Sequence, residues 1–211
     1  MLVFLGLPQC KTGAFHAVLS KMGMNVVWTS LDGHFTGVEV ERAGRRGEGL
    51  LSPLEQRGAE AVVELSSWVV HDLCAWPQIH SFREMFEQNP EHVYILNRRH
   101  PEELYDMCAT HLGPMMDHFF AGDVGGVSRF VAQGLDRKAA FAACVDAFYR
   151  DVMSFFFERK EAKFVDFDIS RDDLSKLALF LPAPLTEEEE ALFASTPDFG
   201  EEGEGRRSIM S

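Results

Sequence analysis

The chain has 211 residues, with 20 Lys and Arg against 33 Asp and Glu, a net charge of −13, and 46% hydrophobic residues. A chain this long buries roughly 70% of its unfolded surface and needs no staples, which excludes a disordered chain, a collagen-like chain and a mini-protein scaffold. No run reaches the roughly 18 apolar residues of a membrane span, and the acidic balance argues against nucleic acid as a main partner, whose phosphates demand a basic face.

The opening MLVFLGLPQCK has no basic segment before its short apolar run, so it reads as a buried parallel strand over 2–7 rather than a signal peptide. Residues 12–23 have helical spacing, with Phe15, Val18, Leu19 and Met22 on one face and Gly23 suited to the end. A second strand follows at 25–29, completing a strand–loop–helix–strand opening. Residues 32–58, rich in Gly, Arg and Glu, read as a polar connection with little core. A third strand is expected over 59–65 with Glu64 at its end, then the stretch Trp68–Trp76 and a helix over 77–89.

The run Val93–Leu96 is a clear apolar strand, followed at once by Asn97, Arg98, Arg99, His100 and Pro101, and then a helix. Residues 113–136 contain five glycines and read as a loop or lid, with Met115, Met116, Phe119 and Phe120 as an apolar cover over an acceptor site. A long helix over 137–160, a strand over 164–169 and a helix over 172–181 complete the domain. The expected fold is a three-layer α/β sandwich with a mostly parallel sheet, spanning residues 1–185. An acidic tail occupies 186–211, a short helix at most from Thr186 and then solvated, with eight acidic residues and two arginines from Glu187 onward. The four cysteines, Cys10, Cys74, Cys108 and Cys144, lie far apart without a C-x-x-C pair. They predict free thiols in a reducing cytosol and no metal site.

The segment Phe4–Leu19 carries most of the chemistry. A loop between a buried strand and a helix aims backbone N–H groups at one point, and the helix N-terminus adds positive potential for an anion. Lys11 and Thr12 stand where such a loop holds a cation and a hydroxyl, and Gly13 permits close approach. The Walker pattern G-x-x-x-x-G-K-[ST] is not met, because Cys10 precedes Lys11. Arg98 and Arg99 stand at the carboxyl end of a strand, where ligands bind in open α/β sheets, and either guanidinium suits a phosphate.

Taken together, Gly6-Leu7-Pro8 with the helix Phe15–Gly23, the run Tyr94–Pro101 with Leu104-Tyr105, and Leu179–Pro184 resemble the P-loop sulfotransferases. The resemblance implies a donor, 3′-phosphoadenylyl sulfate, with adenosine 3′,5′-bisphosphate as its product. It implies that Pro8, Gln9, Cys10, Lys11, Thr12, Gly13 and Ala14 cradle the 5′-phosphosulfate, and that Arg99 holds the 3′-phosphate. Aligned without a gap, Gln9 falls on the family's Lys or Arg; shifted by two residues, Ala14 and Phe15 replace two hydroxyl residues. Met107 stands where the family has a serine, and His100 where it has an aspartate. As catalytic groups the reading names Lys11 on the donor and Glu64 or His16 as base, with His71, His100 and His111 as further ionisable candidates. The acceptor, a hydroxyl or amine, is not specified, and a second copy of the chain stays open as a partner. Two other classes stand beside this one. One is a P-loop kinase in which Lys11 and Thr12 hold phosphates and Mg²⁺. The other is a catalytically degenerate interaction protein of the same fold.

Overall fold

The computed structural model describes residues 1–31, 34–67 and 75–197. The expected features at Trp68, His71, Cys74 and 198–211 lie outside the described residues. Strand β1 (Leu2–Phe4) leads through a tight loop into helix α1 (Thr12–Lys21), then β2 (Val26–Val27). A two-stranded hairpin, β3 (Ser30–Leu31) and β4 (His34–Phe35), precedes α2 (Thr36–Arg45) and α3 (Ser52–Glu55). Strand β5 (Ala61–Val62) is followed by α4 (Pro77–His80) and α5 (Phe82–Gln88), and then β6 (Val93–Arg98). Helices α6 (Pro101–His111), α7 (Gly113–Ala121), α8 (Ser128–Ala132) and α9 (Arg137–Phe157) come next. Strand β7 (Lys163–Asp168), a 3-10 segment (Leu174–Phe180) and α10 (Glu187–Ser195) end the described chain.

The five main strands form one all-parallel sheet in the order β2-β5-β1-β6-β7. The α/β class and parallel sheet therefore match expectation. Period-2 alternation sends β1 side chains to both faces. Val3 and Leu5 join a core with Tyr94, Leu96, Phe82, Phe86 and the inner side of α9. Leu2 and Phe4 join a second core with Phe15, Val18, Ile95, Phe167 and Phe193. The helices thus divide: α1, the 3-10 segment and α10 cover one face, while α2, α5, α6 and α9 cover the other. The chain leaves β1 over one face and its neighbours β5 and β6 over the other, which puts a topological switch point at the carboxyl end of β1.

Several expectations are corrected. Residues 32–58 are not a coreless connection: Val38, Val40 and Ala43 of α2, and Leu50, Leu51 and Leu54 around α3, are buried. Their apolar residues recur at helical spacing between the charges, so burial outweighs the polar composition. Nor is 113–136 a loop: α7 buries Met115, Met116 and Phe119 in the core, with Phe119 edge-on to Trp76 at 5.5 Å. The apolar cover is a core element there. The helix expected at 77–89 breaks at Ser81, the one at 172–181 is a 3-10 segment, and the first and third strands are shorter than the apolar runs that announce them. The acidic end does open on a short helix, α10, which starts at a capping box, Thr186 with Glu189, and beyond what its composition announced it buries Phe193 against Phe15 at 4.9 Å.

Gly6 is one of the tightest points of the frame among the described residues. A Cβ there would lie 2.2 Å from the Asn97 carbonyl oxygen, backbone that has no room to move. Gly6→Ala is expected to cost about 3 kcal/mol in urea denaturation. Gly47→Ala, at φ +73 with open space around it, is expected to cost only about 1 kcal/mol.

Candidate functional site

The loop after β1 is shaped by two left-handed residues, Gln9 (φ 69) and Lys11 (φ 62). Neither is a glycine, so surrounding contacts must hold the conformation. The Gly6 N–H donates to Asn97 Oδ1 at 2.8 Å, and Asn97 Nδ2 donates to the Cys10 carbonyl at 2.9 Å. Arg99 Nε donates to the Gln9 carbonyl at 3.0 Å, while its Nη1 pairs with Glu103. Residues some ninety positions away thus clamp the loop from the end of β6 and the turn beyond it. Arg99 therefore stands beside the loop as the sequence predicts, and the structure uses its Nε as a loop brace. Arg98 points elsewhere: Asp166 (2.6 Å) and Asp168 (3.0 Å) of β7 bind it, and the Asp166 hydrogen bond holds its guanidinium above its ordinary value.

At the amino end of α1, Thr12 Oγ1 donates to Glu64 Oε2 at 2.9 Å. Trp28 Nε1 donates to the same oxygen at 3.1 Å, and Ser66 Oγ to the other at 3.2 Å. Glu64 is 4% exposed, so three donors surround a buried carboxylate. His16, half-buried, stacks on Trp28 with ring centroids 5.3 Å apart. Two of the predicted catalytic groups therefore touch one indole, Glu64 at its Nε1 and His16 at its ring face.

Lys11 leaves this group. Its Nζ donates to the Thr196 carbonyl at 2.9 Å and to the Phe193 carbonyl at 3.4 Å, and lies 5.6 Å from the Phe193 ring centre. The groove beyond it, about 390 Å³, is flanked by Asp172, Asp173 and Glu190. This acidic lining disfavours a phosphate in the groove. The expected role of Lys11 as a donor-binding cation is not expressed in this arrangement. Among the other loop positions, Pro8 gives its carbonyl to Cys108 Sγ at 3.9 Å, and Ala14 is wholly in the core. Gly13 lies over Trp28, where a Cβ would make an ordinary 3.7 Å contact. Gln9 keeps its Oε1 buried without a hydrogen-bond partner, an acceptor that a bound hydroxyl or amine would satisfy. Met107 is half-buried on α6; His100 and His111 are exposed at that helix's two ends.

Beneath the loop, Cys10 Sγ lies 3.9 Å from the Tyr149 hydroxyl. Burial pushes that hydroxyl well up, and likewise the thiols of Cys108 and Cys144, the latter to about 11. These thiols are packing groups. Among the described residues one cluster has metal-ligating types, Glu55, Glu91 and His92. It lies at the amino end of β6, remote from the loop. The two imidazole nitrogens already face Glu55 (2.8 Å) and Glu91 (3.3 Å), so the three side chains are engaged with one another.

Sequence reasoning missed Asn97 and the Lys11–α10 contact. Asn97 did leave a signal, an amide closing the apolar run Val93–Leu96, since a polar residue there needs partners. Asn97→Leu removes both loop bonds at constant size and strands two buried backbone groups. It is expected to cost about 2–4 kcal/mol by chemical denaturation. Cys10, Cys108 and Cys144, all buried, are expected to resist iodoacetamide in the native protein and to react on unfolding, as read by mass spectrometry. Compared with known proteins, the chain matches no family model, no curated protein and no solved structure.

Proposed function

We propose that the chain is a P-loop-type group transferase that binds a phosphate-bearing nucleotide against the amino end of α1. The observation that carries this reading is the Arg99 brace: its bond to the Gln9 carbonyl puts a guanidinium, the β1–α1 loop and a helix N-terminus at one switch point. In the sulfotransferase form, the donor is 3′-phosphoadenylyl sulfate and the acceptor a hydroxyl or amine. The S–O bond to the phosphate breaks as the acceptor atom bonds to sulfur, and the acceptor proton passes to a base. Of the two base candidates, Glu64 already has both oxygens engaged by three donors, so an acceptor hydroxyl would have to displace one of them. His16, with its ring against Trp28, is the other candidate.

A specific observation favours a second reading. The Thr12 hydroxyl and the Glu64 carboxylate, 2.9 Å apart, join a helix N-terminus to the end of the neighbouring strand. A loop hydroxyl and a strand-end carboxylate are the pair that holds Mg²⁺ in P-loop kinases.

Calorimetric titration separates the two. Adenosine 3′,5′-bisphosphate binding that ignores Mg²⁺ is the result expected of a sulfotransferase. Binding of ATP that requires Mg²⁺ and weakens at least tenfold in Thr12→Val, an interaction of roughly 1.4 kcal/mol, is the kinase result. If neither nucleotide binds the wild type or Phe193→Ala at millimolar concentration, the transferase proposal falls and an interaction protein remains.

A further inference from the structure

We propose that α10 is an internal stopper of the loop site, and that an anion bound at the amino end of α1 competes with the α10 carbonyls for Lys11. The proposal rests on the loop being a ligand site, as above.

Four observations carry it. First, every residue from Leu2 to Cys10 is buried, so the loop is covered as it stands. Second, the cover includes the segment 193–197. Lys11 bonds two of its carbonyls, and a Cβ on Gly13 would stand 3.9 Å from the Pro197 oxygen, so this segment crosses the first turn of α1. Third, the electrostatics fit a closed clasp. The last turn of α10 has no basic residue of its own, and four glutamates fill its first turn. Its carboxyl end carries partial negative charge, and Lys11, from the other end of the chain, supplies the cation. Fourth, the clasp is lightly held. Phe193 is the one buried residue of α10, seated against Phe15 and Phe167, and Lys21 pairs with Glu188 on the outside. A nine-residue helix is marginal by itself in water, and an element with one buried anchor opens at low cost.

Lys11 thus has two destinations on one short tether. With α10 seated, its ammonium serves the α10 carbonyls. When an anion occupies the α1 amino end, the ammonium gains a full charge as partner in place of two carbonyl dipoles. Losing that bond, α10 keeps Phe193, the partly buried Leu192 and its surface pair. Binding and release of α10 are then linked, and the apparent affinity is reduced by the fraction of molecules in which α10 is seated.

The test uses the full chain, with adenosine 3′,5′-bisphosphate and Mg-ATP as probes. Hydrogen–deuterium exchange of residues 187–197 is followed with and without each probe, and affinities are measured for wild type and Phe193→Ala. A bound probe is expected to speed exchange in 187–197 several-fold, and Phe193→Ala to bind about tenfold tighter. Binding by the variant alone also supports the stopper. If a probe binds while exchange in 187–197 stays the same or slows, the stopper is overturned and the transferase reading stands. No binding by either protein overturns both. The exchange measurement on wild type decides the matter even if Phe193→Ala fails to fold.

Discussion

The structure turns on one side-chain amide. Asn97, fully buried at the end of β6, accepts from the Gly6 N–H and donates to the Cys10 carbonyl. The loop between β1 and α1 has little intrinsic reason to hold its shape, since two non-glycine residues sit in left-handed conformations. Asn97 supplies the reason, and the absence of a side chain at Gly6 lets β6 come close enough to do it. Once the loop is fixed, the direction of α1 follows. With it come the positions of Thr12 against Glu64, His16 against Trp28, and Lys11 against α10.

This arrangement separates two sides of the α1 amino end. On one side, Thr12, Glu64, Trp28 and Ser66 form a closed hydrogen-bonded set around a buried carboxylate. On the other, Lys11 faces the carboxyl end of α10 and an acidic groove. A buried carboxylate with three donors is low in cost as a structural node.

Much of the order of elements was legible from periodicity. The run Leu2–Leu7 marks a central strand, Phe15, Val18 and Leu19 mark the inner face of α1, and Cys144, Phe148, Val152 and Phe155 mark that of α9. These signals are strong because the same residues meet both the local period and the core. The misreadings at 32–58 and 113–136 share a cause. Both stretches carry glycines and charges, and both contain short helices whose few apolar residues are nonetheless buried. Composition averaged over twenty residues hides a stripe of three.

By itself the sequence determined a parallel α/β sheet with a loop at the carboxyl end of its first strand, and it singled out Lys11, Glu64, His16 and Arg99. Alternating and helical apolar patterns are local, and a buried strand followed by a tight turn and a helix places those residues at one edge. Only the tertiary structure decided what they touch. Arg99 braces the loop backbone, Glu64 gathers three donors, and Lys11 turns to carbonyls more than 180 residues away. The physical reason is that a long charged side chain takes whichever buried partner lies within reach. For Lys11 that partner comes from α10, a helix whose acidic composition reads as solvated and whose place in the core depends on one phenylalanine.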